Sequence, residues 1–149
     1  MNTLKNKSVI IENHTNKYFP SIIFENILEM LVKEENLPKN CFVNLELSDD
    51  SSIRELNKKY LGRNELTDVI SFQANIPEVP LLGDIIIDIN VADIQKGTRT
   101  LEEELQVLFL HGVLHLLGYD HLSTPKNKIM RIKEKKYQEK LKEKFRTRG

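Results

Sequence analysis

Hydrophobic and polar positions recur along this chain with two different periods, and each change of period marks a change of element. Ser8 to Glu12 is short and β-branched, which predicts a strand. Pro20 suits a first helical turn, and Ile23, Phe24, Ile27, Leu28, Met30 and Leu31 then fall on one side of a helix reaching about Asn36. Leu37-Pro38-Lys39-Asn40 breaks it. Cys41, Val43, Leu45 and Leu47 alternate with Asn44 and Glu46, the period of a half-buried strand. Ser48 or Asp49 can cap a following helix that buries Ile53, Leu56 and Tyr60 and stops at Gly62. Asp68 to Phe72 predicts a strand, and Ile76 to Leu82, with Pro77 and Pro80, an irregular connection. Gly83 to Ile89 is apolar almost throughout, so a central strand covered on both faces is expected; Asn90 can cap a short helix ending near Gly97.

The strongest helix signal comes next. Thr100-Leu-Glu-Glu103 is a capping box, with threonine first and glutamate three residues later. The helix it starts is almost wholly apolar after Gln106 and runs to Leu117, so it should be the buried central one. A last amphipathic helix, about residues 125–146, starts at Ser123-Thr124-Pro125 and carries Ile129, Met130, Ile132, Tyr137, Leu141 and Phe145 as its apolar stripe. Interspersed strands and helices in 149 residues predict one α/β (or α+β) domain with a mixed sheet of about four strands.

Composition adds three points. No apolar run approaches membrane-spanning length, and the first residues lack a signal-peptide core. Cys41 is the only cysteine; it suits a reducing cytoplasm and a packing role. The formal net charge of zero conceals an asymmetry: residues 126–149 carry eleven Lys/Arg against three Glu, and residues 1–125 carry eleven against nineteen Asp/Glu. The basic end reads either as an arm for an anionic partner, with Lys133, Lys135, Lys136 and Lys140 as contacts, or as a solvated helix face.

Three of the four histidines lie within the eleven residues His111-Gly-Val-Leu-His115-Leu-Leu-Gly118-Tyr-Asp120-His121. His111 and His115, four apart, leave one face of a helix. Gly118 can end that helix in the left-handed conformation and let His121 swing back. Three imidazoles with a fourth position open is the donor set of a catalytic zinc site, one ion per chain. The spacing matches the ligand frame H-E-x-x-H-x-x-G-x-x-H of one peptidase class, but the glutamate that serves there as base is Gly112 here. His14, in a polar stretch, reads as a surface residue.

The histidine block resembles the signature of the YbeY family, bacterial-type endoribonucleases of ribosomal RNA maturation. Leu56-Asn57 with Tyr60, Thr67 to Phe72, and Leu82-Gly83-Asp84-Ile85 support the resemblance in the same order, over about residues 40–122. It implies a metal-dependent endoribonuclease specific for single-stranded RNA, acting in 16S-type 3′ end maturation and ribosome quality control. Ribosomal RNA and small-subunit ribosomal proteins are the implied partners. A zinc-stabilised binding module without turnover, or a zinc hydrolase of another bond, is the alternative.

Three uncharged ligands leave zinc its full charge, which favours ionisation of a bound water and polarises a phosphodiester oxygen. The base could be that ionised water, Asp120 beside a ligand, or Asp68 or Asp84. Each carboxylate has a plainer role too: Asp120 can orient an imidazole, and Asp68 and Asp84, at strand starts, can satisfy backbone N–H groups. Ser71 and Phe72 read as packing residues. The family's usual arginine after the aromatic residue of the Leu-Asn block is Leu61 here, which cannot donate to phosphate. Arg63, two residues on across Gly62, is the available replacement, since a guanidinium suits paired contacts to phosphate oxygens. Arg63→Ala is expected to slow single-turnover RNA cleavage about a hundredfold at unchanged metal content, with Leu61→Arg restoring part of the rate. Wild-type cleavage by Arg63→Ala would return Arg63 to an ordinary loop position.

Overall fold

The computed structural model describes residues 8–49, 69–119 and 124–146. The expected helix through Ile53, Leu56 and Tyr60, together with Arg63, Asp68, Asp120 and His121, lies outside the described residues. In chain order the elements are β1 (Val9–Asn13), α1 (Ile22–Glu34), β2 (Phe42–Ser48), β3 (Val69–Gln73), β4 (Leu81–Asp88), α2 (Ile89–Gln95), α3 (Leu101–Leu116) and α4 (Thr124–Arg146). The four strands form one sheet in the order β1-β2-β4-β3. β1, β2 and β4 run parallel, and β3 is antiparallel to β4. The mixed α/β class and the strand number agree with the sequence pattern.

Alternation along the strands divides the sheet into two faces. Val9, Val43, Leu45, Leu47, Ile85 and Ile87 are buried beneath helices. The other face carries Ile10, Glu12, Asn44, Glu46, Asp84 and Ile86, and here the expectation for β4 needs correction. β4 is central, hydrogen-bonded on both sides, but Asp84 is exposed and Ile86 only partly buried. Its isoleucines suggested two covered faces because Ile86 continues the apolar run; on this face it lies between buried Ile70 of β3 and Glu46 of β2.

Asp84 also does not begin a strand. It is the fourth residue of β4, and its carboxylate accepts from Asn44 Nδ2 on β2 at 2.9 Å. The cap of α2 is Asp88, not Asn90: the Asp88 carboxylate accepts from the backbone N–H groups of Asn90 and Val91, while the Asn90 amide donates to the Asp49 carbonyl. Asp88 takes the cap because it ends β4 with extended backbone directly before the helix, whereas Asn90 already lies inside the first turn.

α3 forms as the capping box requires. Thr100 Oγ1 accepts from the Glu103 N–H, and Glu103 accepts from the Thr100 N–H. Leu105, Phe109, Leu110, Val113 and Leu114 are fully buried, and Phe109 meets Phe24 of α1 edge to face at 5.3 Å between ring centres. α4 has a narrower apolar stripe than expected: Met130, Tyr137 and Leu141 are buried, whereas Ile129 and Ile132 are exposed. No helix among the described residues is long and apolar enough to cross a membrane.

Gly83 sets how closely α3 lies on the sheet. A Cβ there would collide with the Phe72 carbonyl oxygen and come within 2.7 Å of Leu116 Cδ2. Gly83→Ala must push α3 outward or separate β3 from β4. It is expected to cost about 1–3 kcal/mol, read as a lowered urea midpoint; wild-type stability would show that this close approach is dispensable.

Candidate metal centre

The last two turns of α3 carry both described histidines of the motif, and its ending is built as the glycine predicts. Leu117 is the C-cap and Gly118 follows with φ of 100°. The Tyr119 N–H donates to the Leu114 carbonyl at 3.0 Å and the Gly118 N–H to the His115 carbonyl at 3.0 Å. This paired closure needs a left-handed residue, which glycine supplies without a Cβ clash.

His111 and His115 are partly buried, and their rings meet at 60° with centres 4.6 Å apart. Nε2 of one lies 3.0 Å from Nε2 of the other. Two neutral imidazole lone pairs at that distance repel unless a proton or a cation lies between them. The donor chemistry therefore fits a cation such as zinc, for which imidazole nitrogen is a preferred ligand. Nδ1 of His111 faces Glu134 Oε1 on α4 at 2.5 Å.

Gly112 explains why the peptidase base is missing. A Cβ at this position would stand 3.0 Å from Ile85 Cδ1 and 3.1 Å from Ser71 Oγ, so residue 112 faces the sheet. The Gly112 carbonyl accepts from Ser71 Oγ at 3.3 Å, and Gln73 on the same strand donates to the Leu116 carbonyl at 3.1 Å. Ser71 thus ties helix to sheet, in keeping with a packing role.

The other candidates fall elsewhere. Asp84 sits on the sheet face opposite α3, where it lines a cleft of about 340 Å³ with Ile10, Glu12, Asn44, Glu46 and Phe72. That removes it from the candidate bases for the histidine site, and the three carboxylates make the cleft hostile to an RNA backbone. His14 is a surface residue as expected, its Nε2 3.4 Å from Glu12 and 3.7 Å from Glu46. These three side chains offer ligand atoms within 4.8 Å of one another, a solvent-facing group at the end of β1 and β2. Cys41 is buried, and burial pushes its thiol above the usual range, so it packs.

The basic helix is anchored through the very lysines that the sequence offered as an anion-binding arm. Lys133 donates to Glu35 at 2.7 Å, while Lys140 and Lys136 pair with Glu34 at 2.8 and 3.7 Å. Lys135 remains exposed, as do Lys128, Arg131 and Lys142.

Glu35, just beyond α1, also accepts from Tyr119 Oη at 2.7 Å and from Tyr137 Oη. Burial pushes its carboxyl up, but the hydrogen bonds from Lys133, Tyr137 and Tyr119 outweigh this and hold it below its ordinary 4.5. The same contact with Glu35 raises Lys133. Glu35 and Glu134 were missed in the sequence. Both sit in ordinary helical surroundings, and neither lies at a motif spacing from the histidines.

A mixed sheet beneath a helix that brings two imidazole nitrogens within 3.0 Å of each other defines an α/β protein with a histidine pair beside its core. Comparison with known proteins narrows the class. The profile of the family described as Endoribonuclease YbeY matches residues 5–142. An Endoribonuclease YbeY from a Sulfurihydrogenibium species is 38% identical over 124 residues, covering 80% of this chain and 81% of the relative. One from a Geobacillus species is 39% identical over 128 residues, covering 76% and 81%. The solution structure of TM1509 from Thermotoga maritima superposes with a TM-score of 0.61 at 32% identity, covering 94% of this chain and 93% of that one. The chain belongs to the YbeY family of endoribonucleases, hydrolases of RNA phosphodiester bonds.

Because the Glu35 carboxyl is depressed in the folded state, its contribution is present above about pH 4.5 and is lost as pH falls through the lower folded value. Glu35→Gln should therefore be less stable than wild type at pH 7, by about 2 kcal/mol, and the gap should close on acidification. Urea midpoints from pH 7 to pH 3 measure it; a gap constant with pH would mean that the charge contributes nothing.

Proposed function

We propose that this chain is a zinc-dependent endoribonuclease specific for single-stranded RNA, acting in ribosomal RNA maturation and ribosome quality control. One ion is held by His111, His115 and His121. The observation that carries the reading is the 3.0 Å approach of the two Nε2 atoms on a rigid buried helix, in a chain of the YbeY family. When bound, zinc would polarise a phosphate oxygen and favour ionisation of a nearby water.

The protein's own residues supply the rest. α3 keeps both imidazoles fixed because its other side is locked into the core, so little reorganisation is needed on binding. Arg63 would neutralise the scissile phosphate in place of the family arginine lost at Leu61. Asp120, beside a ligand, and Asp68 are the carboxylates available to move or position a proton. Water adds to phosphorus, the P–O bond to the leaving nucleoside breaks, and a proton passes to that oxygen. Peptide cleavage is disfavoured, since position 112 has neither a carboxylate nor room for one.

The RNA would be single-stranded and ribosomal, with small-subunit ribosomal proteins as neighbours and the cytoplasm as the place of work. Exposed Lys128, Arg131, Lys135 and Lys142 on α4 are the cations offered to its backbone.

Elemental analysis should give about one zinc per chain, falling to none when His111, His115 and His121 are all replaced by alanine. Cleavage of a defined single-stranded RNA should vanish in the same variant, with casein uncut throughout. A triple variant that keeps its metal sinks the site. Zinc-loaded protein that binds RNA without cutting it would instead be a binding module.

A further inference from the structure

We infer that Glu134 is a positioning residue for the metal site: its carboxylate holds the His111 ring in the tautomer and orientation that present Nε2 towards His115. The inference rests on the reading of His111 and His115 as metal ligands.

Imidazole has two nitrogens, and only the unprotonated one can bind a metal. With Glu134 Oε1 2.5 Å from Nδ1, the proton is drawn to Nδ1 and the lone pair is left on Nε2. That nitrogen is the one 3.0 Å from Nε2 of His115. A carboxylate behind a ligating imidazole fixes the ring and strengthens it as a donor.

The placement of Glu134 is itself supported. Lys133 precedes it and Tyr137 follows it by three residues, and both bind the Glu35 carboxylate beyond α1. These two contacts set the rotation of α4 about its axis, which turns residue 134 towards α3. The Glu134 side chain is only 20% exposed, so the pair is shielded from the screening that weakens surface ion pairs.

The test compares Glu134→Met, which keeps the length of the side chain but accepts no proton from nitrogen, with Glu134→Gln, whose amide oxygen still accepts one. Zinc affinity is measured by competition with a chromophoric chelator. The His111 tautomer is read by nitrogen-15 NMR of the zinc-free protein, alongside its thermal midpoint. Glu134→Met should weaken zinc binding by about 10–100-fold and move His111 away from the Nδ1–H form. Glu134→Gln should recover most of both at a similar thermal midpoint. Wild-type zinc affinity in Glu134→Met overturns the inference, and so does equal weakening in both variants with the tautomer unchanged. His115→Ala separates the two levels. If it loses zinc while Glu134→Met does not, only the role of Glu134 fails. If His115→Ala binds zinc as wild type does, the metal reading fails and takes this inference with it.

Discussion

Everything at the histidine site depends on the close seating of α3 on the sheet. Two glycines permit it from opposite sides: Gly112 on the helix over Ile85 and Ser71, and Gly83 on β4 under Leu116. Close seating removes apolar surface from water along most of the helix and leaves its interior face no freedom to rotate. The histidines stand on what remains of its circumference. Their relative position is therefore inherited from core packing, and orienting them costs the site little of its own.

The second layer is electrostatic and comes from both ends of the chain. Glu34, at the end of α1, and Glu35, just beyond it, gather three lysines and a tyrosine from α4, and Glu35 also takes the tyrosine that follows Gly118. One carboxylate thus ties a helix end, the turn after α3 and the long basic helix together. A basic tail read as a chain segment suggests an arm reaching for an anion. Folded, part of its charge is spent on intramolecular anchoring, and the remaining exposed cations form a smaller and more defined surface. The same anchoring brings Glu134 behind His111.

Local signals were read from the sequence wherever a single element carried its own reason. The capping box of Thr100 and Glu103, the left-handed ending at Gly118, the alternation of β2 and the helical pitch of His111 and His115 all appear in the structure. Errors arose where the deciding neighbour was remote. Ile129 and Ile132 continue an apolar pattern but face solvent, because the rotation of α4 is set by Glu34 and Glu35 about a hundred residues earlier. Asp84 matched a motif, yet strand alternation puts it on the face away from α3. Asn90 is a good capping residue that lost the position to Asp88, which β4 delivers to the helix start.

By itself, then, the sequence determined the α/β class and the pair of helical imidazoles, because both follow from periodicity or from contacts a few residues apart, while the likeness to the family lay in its motif blocks. Only the tertiary structure decided that β4 is covered on one face and open at Asp84, why position 112 is crowded, where the lysines of the last helix go, and which carboxylate meets His111. Those outcomes depend on side chains brought together across 23 to 106 positions of chain, as for Glu134 with His111 and Lys140 with Glu34. No local pattern encodes such a meeting; it is settled when the core packs.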